Sequence, residues 1–175
     1  MTGYVALLRG INVGGHRKVP MAALRETAEA LGFEKVRTYV ASGNLVFETE
    51  QAEGGLEAKL EKAIADRFGF DVDVIIRSAS QWAAHARANP LKPESEKEPA
   101  FVHMTVGKRA PTEGDIAALS AKAGDNERVL SAGGAIWTWY GNGAGQSKIG
   151  TGKSTGVWTA RNWRTVQTLQ EMLEG

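Results

Sequence analysis

Between Tyr4 and Arg77 the hydrophobic pattern switches from strand to helix and back twice. That order restricts the possible folds more than any other property of the chain. Tyr4–Leu8 is a continuous apolar run and reads as a buried strand. Gly10, Gly14 and Gly15 punctuate the loop behind it. Pro20 suits the first turn of a helix, where its missing N–H has no intrahelical partner to lose. Met21, Leu24, Ala28 and Leu31 then share one helical face, and Gly32 ends it. Lys35–Ala41 alternates, Ser42-Gly43-Asn44 turns, and Leu45–Glu48 returns, which makes a hairpin. Leu56, Leu60, Ile64 and Phe68 recur every fourth residue along an amphipathic helix, with Glu57, Glu61 and Asp66 on its solvated side. Asp71–Arg77 is another strand, and Ser78 with Gln81 has the spacing of a capping box that opens a further helix. The sum, β-α-β-β-α-β, is the ferredoxin-like order.

Residues 89–99, rich in proline and charge, interrupt this pattern and read as a linker between an N-terminal unit, 1–88, and a C-terminal unit, 100–175. Beyond them the order partly repeats. Ala100–Val106 is a strand. Thr112–Ala121 is a helix opened by Pro111 and Thr112. Glu127–Ser131 and Ala135–Tyr140 form a hairpin about Gly133-Gly134. A last helix starts near Thr159 and buries Trp163, Val166, Leu169, Met172 and Leu173. The expected fold is α+β: two ferredoxin-like (βαββαβ) subdomains in tandem, the second incomplete.

The charges are segregated. Met1–Arg25 and Arg128–Gln170 contain no Asp or Glu, although the chain has 20 acids and a formal net charge of only +1. The first block carries Arg9, Arg17, Lys18 and Arg25; the second carries Arg128, Lys148, Lys153, Arg161 and Arg164. Both are rich in Gly, Asn and Ser, which expose backbone amides, so together they suggest a shared site for an anion. In the first block the Gly-rich loop after Arg9 brings Asn12, Gly14, Gly15, His16, Arg17 and Lys18 together. Glycines there either let amides surround an oxyanion or merely permit the turn. In the second block Thr159 reads as an N-cap, which puts Arg161 and Asn162 in the first turn of a helix. Cations are disfavoured there by about 0.3–1 kcal/mol each unless an anion offsets them. The other reading pairs Arg161 and Arg164 with carboxylates.

Several chemistries find no support. There is no cysteine, so disulfides, thiolate metal sites and cysteine nucleophiles are excluded. His16, His85 and His103 are too scattered to read as metal ligands. Gly152-Lys153-Ser154 lacks the upstream glycine of a phosphate-binding Walker loop, because that position is Ser147; the segment reads as a Gly-rich loop carrying Lys148 and Lys153. No nucleophile elbow and no paired carboxylates occur in either basic block. Trp137 and Trp139 share a strand face, either as core or as a stacking platform for bases, and Arg37 and Tyr39 pose the same choice. No apolar run follows a basic start and none is long enough to cross a bilayer, so a cytoplasmic protein is expected. A pI near 8.0 is too mild to indicate nucleic-acid binding by itself.

The strings YVALLRGINVGG, VPMAALR, VRTYVASGN, SKI and TARNWRTV, in this order and spanning nearly the whole chain, resemble the bacterial family called domain of unknown function 1697. Arg9, Asn12, Gly14, Gly15, Met21, Arg25, Thr38, Tyr39, Ser42, Gly43, Asn44, Ser147, Lys148, Arg161, Asn162 and Trp163 match its pattern. The resemblance implies a cytoplasmic α+β protein of two small subdomains and carries no activity, cofactor or catalytic residue. One departure is the Gly-rich GTGKSTGVW, where the family has room for a helical segment.

Three functions follow as expectations. The first is binding of an anionic ligand, a nucleotide or nucleic-acid phosphate, with no cofactor. Arg9, Lys148 and Arg161 would supply charge and Asn12, Asn44 and Asn162 orientation, with Gly14, Gly15 and Ser42 completing the candidate set. The second is an enzyme acting on a phosphorylated small molecule, with His16 as acid or base. The third is a structural or partner-binding module without a ligand.

Overall fold

Strand β1 (Thr2–Leu8) is covered on both faces, which is why its sequence is a run of apolar residues and not an alternation. In the computed structural model, which describes residues 1–150 and 156–175, Tyr4, Ala6 and Leu8 enter one hydrophobic cluster. Leu24 and Ala28 of α1 (Met21–Ala30) and Leu60 and Ile64 of α2 (Leu56–Phe68) complete it. Each buried leucine or isoleucine contributes about 1.5–3 kcal/mol relative to exposure. Val5 and Leu7 are buried on the opposite face. There Leu173 of α6 (Trp163–Glu174) and Ala79 of α3 (Ala79–Arg87) lie close to Gly3.

The other strands of this sheet are β2 (Glu34–Thr38), β3 (Asn44–Thr49) and β4 (Val74–Ser78). The spatial order is β2-β3-β1-β4 and every pairing is antiparallel. This first unit comprises Met1–Trp82 together with Leu169–Gly175; the second is Ala83–Thr168. The predicted capping box is present: Gln81 N–H donates to Ser78 Oγ at 3.2 Å, and Ser78 N–H donates to Gln81 Oε1 at 2.8 Å.

The outer edge of β4 is closed by side chains. Val74 N–H donates to Glu61 Oε2 at 2.9 Å and Ile76 N–H to Glu57 Oε2 at 2.8 Å, and Ser78 N–H continues the row with Gln81. Four residues of helix rise about 6 Å, close to the roughly 6.6–6.8 Å spanned by two residues of strand. Carboxylates one turn apart on α2 therefore meet alternate amides of the strand. Glu57 and Glu61 stand in for a fifth strand and protect an edge that invites strand pairing; they are not simply a solvated helix face. Glu61→Ala is expected to cost about 1–2 kcal/mol of the first unit's stability, and Glu61→Gln, which keeps an acceptor oxygen, clearly less. Equilibrium urea unfolding checks the ranking.

In the second unit β5 (Val102–Gly107), β6 (Glu127–Ala132), β7 (Ala135–Tyr140) and β8 (Trp158–Asn162) form a sheet ordered β6-β7-β5-β8. It too is antiparallel throughout. Helix α5 (Glu113–Ser120) connects β5 to β6. Between β7 and β8 the described residues hold only a 3₁₀ turn, Ala144–Gln146. Lys153 and the Gly152-Lys153-Ser154 string lie outside the described residues. Each unit is thus a four-stranded antiparallel sheet with flanking helices, the α+β class indicated by the sequence.

Two expectations need correction. Segment 89–99 is not a bare linker, since it contains α4 (Lys92–Lys97). Leu91 is 0% exposed. Asn89 receives Leu91 N–H on Oδ1 at 2.8 Å and donates to Ser95 Oγ at 2.8 Å, and that hydroxyl donates to Leu91 O at 2.7 Å. One apolar anchor and a closed polar network order a stretch whose composition reads as disordered. The last helix starts at Trp163 and not near Thr159, because Trp158–Asn162 is the fourth strand of the second sheet.

Gly107 makes room for Trp158: a Cβ at this position would lie 2.4 Å from the indole ring. Arg109 lies over the same indole, 5.1 Å from its centroid. Its guanidinium donates to both Asp115 oxygens, at 2.7 and 3.0 Å. Asp115 also completes a capping box with Thr112. The Arg109 hydrogen bonds, and after them the Thr112 N–H, hold the Asp115 carboxyl well below the usual carboxylate range, against the opposing effect of burial. A depressed folded-state pKa contributes stability that is complete above the unfolded value near 4 and is lost as pH falls toward the folded one. The second unit is therefore expected to lose stability below about pH 4, and Asp115→Asn to flatten that dependence in acid unfolding followed by tryptophan fluorescence.

Candidate functional site

Residues 12–17 form a small β-hairpin that projects from the loop behind β1. His16 N–H donates to Val13 O and Asn12 N–H to Arg17 O, both at 3.1 Å, and Val13 bridges antiparallel to His16. Gly14 and Gly15 occupy the two central turn positions with φ of 60° and 77°. Two successive positive φ values define the tight turn that matches strand twist, and Gly-Gly adopts it without a Cβ penalty. Turn geometry therefore accounts for both glycines. Every residue from Val13 to Lys18 is exposed.

Asn12 fixes the base of this finger. Its amide donates to Val19 O at 3.0 Å and Ala41 O at 2.8 Å, while its Oδ1 accepts Val19 N–H at 2.8 Å. Asn12 itself sits at φ 54°, a conformation that asparagine tolerates better than most residues. Arg17 donates to Asp71 O and lies over the Phe70 ring, 5.5 Å from its centroid. The finger is thus held at its base and along one flank.

The bond to Ala41 ties the finger to the turn between β2 and β3. That turn is closed by Tyr39 N–H to Asn44 O at 3.0 Å and Gly43 N–H to Val40 O at 3.3 Å. Asn44 is buried, and its amide donates to Tyr39 O at 2.8 Å and Ser42 Oγ at 3.3 Å. Asn44 and Ser42 therefore shape the turn. Val40 lies at φ 52° with 49% of its surface exposed, and Val13 is 66% exposed. A β-branched residue in the left-handed region is an outlier, and outliers of this kind cluster at ligand clamps and switch regions.

The finger is less purely basic in space than in sequence. Arg9 donates its backbone N–H to Asp73 O at 3.0 Å, and its guanidinium stands 3.8 Å from the Asp73 carboxylate. The acid comes from a segment more than sixty residues away in the chain. Among the described residues, neither His16 nor Lys18 has an ion-pair partner.

Of the remaining predicted residues, Lys148, Arg161 and Asn162 lie in the second unit. Arg161 belongs to β8 and not to a helix's first turn, and it is 7% exposed. Its guanidinium donates to Thr159 Oγ1 at 2.7 Å and Ala160 O at 2.8 Å, and burial lowers its pKa to about 10. Asn162 Oδ1 accepts Thr165 N–H at 3.0 Å, so Asn162, and not Thr159, caps α6. Lys148 is exposed at a polar cleft of about 470 Å³ lined also by Lys122, Asp125 and Glu127. Trp137 is core, with its ring 5.7 Å from that of Trp163. Arg37 donates to Met172 O at 2.6 Å, at the C-terminal end of α6. His85 bonds Gly133 O at 2.7 Å, and His103 lies edge-on to Tyr140, with burial lowering its pKa. Among the described residues no group of three His, Asp or Glu side chains is placed to hold a metal ion, and no helix is long and apolar enough to cross a membrane.

Sequence reasoning missed the exposure of Val13 and the left-handed backbone of Val40. A lone valine in a Gly-rich loop carries little signal, and the left-handed backbone of Val40 runs against its residue type.

The sequence model of a family described as "Protein of unknown function (DUF1697)" matches residues 1–137. Among solved structures, a conserved bacterial protein from Streptococcus pneumoniae is 27% identical over 98% of each chain, with a TM-score of 0.82. No curated protein matches the chain.

Proposed function

The chain belongs to the DUF1697 family, whose description states no activity, and from that premise we propose that its first unit binds the phosphate backbone of a nucleic acid. The carrying observation is the clamped finger: an exposed hairpin presenting His16, Arg17 and Lys18, in a block of sequence without a single acid. Fixing the hairpin in advance lowers the ordering cost of binding. A convex finger reaches a strand or groove, whereas a mononucleotide needs a concave pocket that encloses it. Polyanion length, and not one phosphate, is therefore what this surface recognises.

Fluorescence anisotropy with a labelled 20-mer RNA at 50 and 200 mM salt tests the reading. Affinity is expected to fall steeply with salt. Lys18→Ala is expected to weaken binding several-fold and to reduce the logarithmic salt slope by about 0.7, the share of one phosphate contact on a single strand. Absence of binding at both salts, or equal binding of a mononucleotide, overturns the proposal.

A further inference from the structure

The sheet of the second unit is covered less regularly than that of the first, and a small cavity lies under the irregular part. We infer that this cavity is a binding site for a structural water, held by the hydroxyl groups of Thr105, Thr138 and Tyr140 between β5 and β7. The inference is independent of the finger and of what the finger binds.

The fold explains why a cavity arises here. In the first unit both α1 and α2 pack on one face of the sheet. In the second unit α5 contributes Ile116 and Leu119, and Ile149 from the loop after β7 and Trp158 of β8 supply further cover. Single side chains from a loop and an edge strand fill space less completely than the rows of a helix. Strand register then puts polar groups under that cover. Thr105 stands opposite Ile136, and Thr138 and Tyr140 follow Ile136 at two-residue intervals, so all four share one face. Thr105, Thr138 and Tyr140 line the cavity together with Leu119, Ile149 and Trp158. All three polar residues are buried.

Size and polarity decide the occupant. The cavity measures about 20 Å³. A water needs about 10–15 Å³, whereas sites for metabolites start at about 300 Å³. Cavities with wholly apolar walls stay dry, and waters settle where several polar groups converge. The Thr138 and Tyr140 hydroxyls lie within hydrogen-bonding reach of each other. The Thr105 hydroxyl forms no hydrogen bond with any described residue. A buried hydroxyl in that state is costly; a water gives it a partner and joins it to the Thr138–Tyr140 pair. Asp115 also lines the cavity, but its oxygens are already engaged by Arg109 and by the Thr112 N–H.

A high-resolution crystal structure of the full chain, with melting curves of the parent and of Thr105→Val, tests this. The structure is expected to show an ordered water within hydrogen-bonding distance of Thr105 Oγ1 and of Thr138 Oγ1 or the Tyr140 hydroxyl. Thr105→Val keeps the branched shape of the side chain and removes the hydroxyl. With the water in place, the substitution deletes one of that water's bonds and is expected to lower the melting temperature by about 2–4 °C. In a dry cavity it deletes a buried hydroxyl without a partner, and the melting temperature rises. No water in the parent structure, a Thr105 hydroxyl bonded to a protein carbonyl in its place, or a higher melting temperature in Thr105→Val overturns the inference. Where Thr105→Val does not fold, the parent structure decides alone. Each of these outcomes leaves the phosphate-binding reading as it stands.

Discussion

Gly43→Ala is expected to unfold the first unit under conditions where the parent chain is intact. A Cβ on Gly43 would sit 2.8 Å from both Leu8 Cβ and Ile11 Cδ1. Neither neighbour is the free end of a flexible surface chain, because Leu8 and Ile11 are buried. Leu8 is fixed further by its N–H bond to Gly43 O at 2.9 Å. The backbone adds a second cost, since Gly43 lies at φ 94°. Overpacking of a core costs about 1–3 kcal/mol and a left-handed residue with a Cβ about 1–2, which gives a loss of about 2–5 kcal/mol. Urea unfolding monitored by far-UV circular dichroism measures it. A variant as stable as the parent contradicts the packing described around Leu8 and Ile11.

Asn12→Ala carries the next largest effect, and it reaches binding as well as stability. Three hydrogen bonds disappear, to Val19 O, Val19 N and Ala41 O. At about 0.5–1.5 kcal/mol each they amount to about 2–4 kcal/mol, and the β-carbon keeps the residue strained at φ 54°. Asn12→Gly separates the contributions, because it relieves the backbone and removes the clamp. Both variants are expected to lose RNA binding, Asn12→Ala with the larger drop in stability. Hydrogen exchange of the 13–18 amides reports directly whether the finger has come loose.

Legibility differed between elements for physical reasons. Strand β1, helix α2 and strand β7 were readable because burial shows directly in their sequences, as apolar runs in the two strands and as one periodic face in the helix. The capping box at Ser78 and the helix start at Thr112 were readable because their chemistry is local. Strand β8 was not: it lies at the edge of its sheet, and Thr159, Arg161 and Asn162 give it no alternation. Asn162 does cap a helix, three residues later than the position chosen from spacing. Helix α4 was hidden by composition, since a single leucine anchors it.

At the candidate site the Gly-rich loop was visible, with a turn at its glycines as one of two readings, but the hairpin pairing about Gly14-Gly15 was not. The clamp by Asn12 was not visible either, because it joins residues 29 apart. The acid-free block was a true property of the sequence but an incomplete guide to the field around Arg9, since folding brings Asp73 to it. The left-handed backbone at Val40 is set by the closed turn and overrides residue preference, so no propensity scale reports it.

A titration of isotope-labelled protein with a single-stranded RNA 20-mer, followed by backbone amide NMR shifts, tests the central claim most directly. Binding by the finger predicts progressive shifts at Val13–Lys18 and Val40–Ser42, suppressed by salt and absent in Asn12→Ala. Shifts confined to other residues, or no shifts at saturating RNA, contradict it.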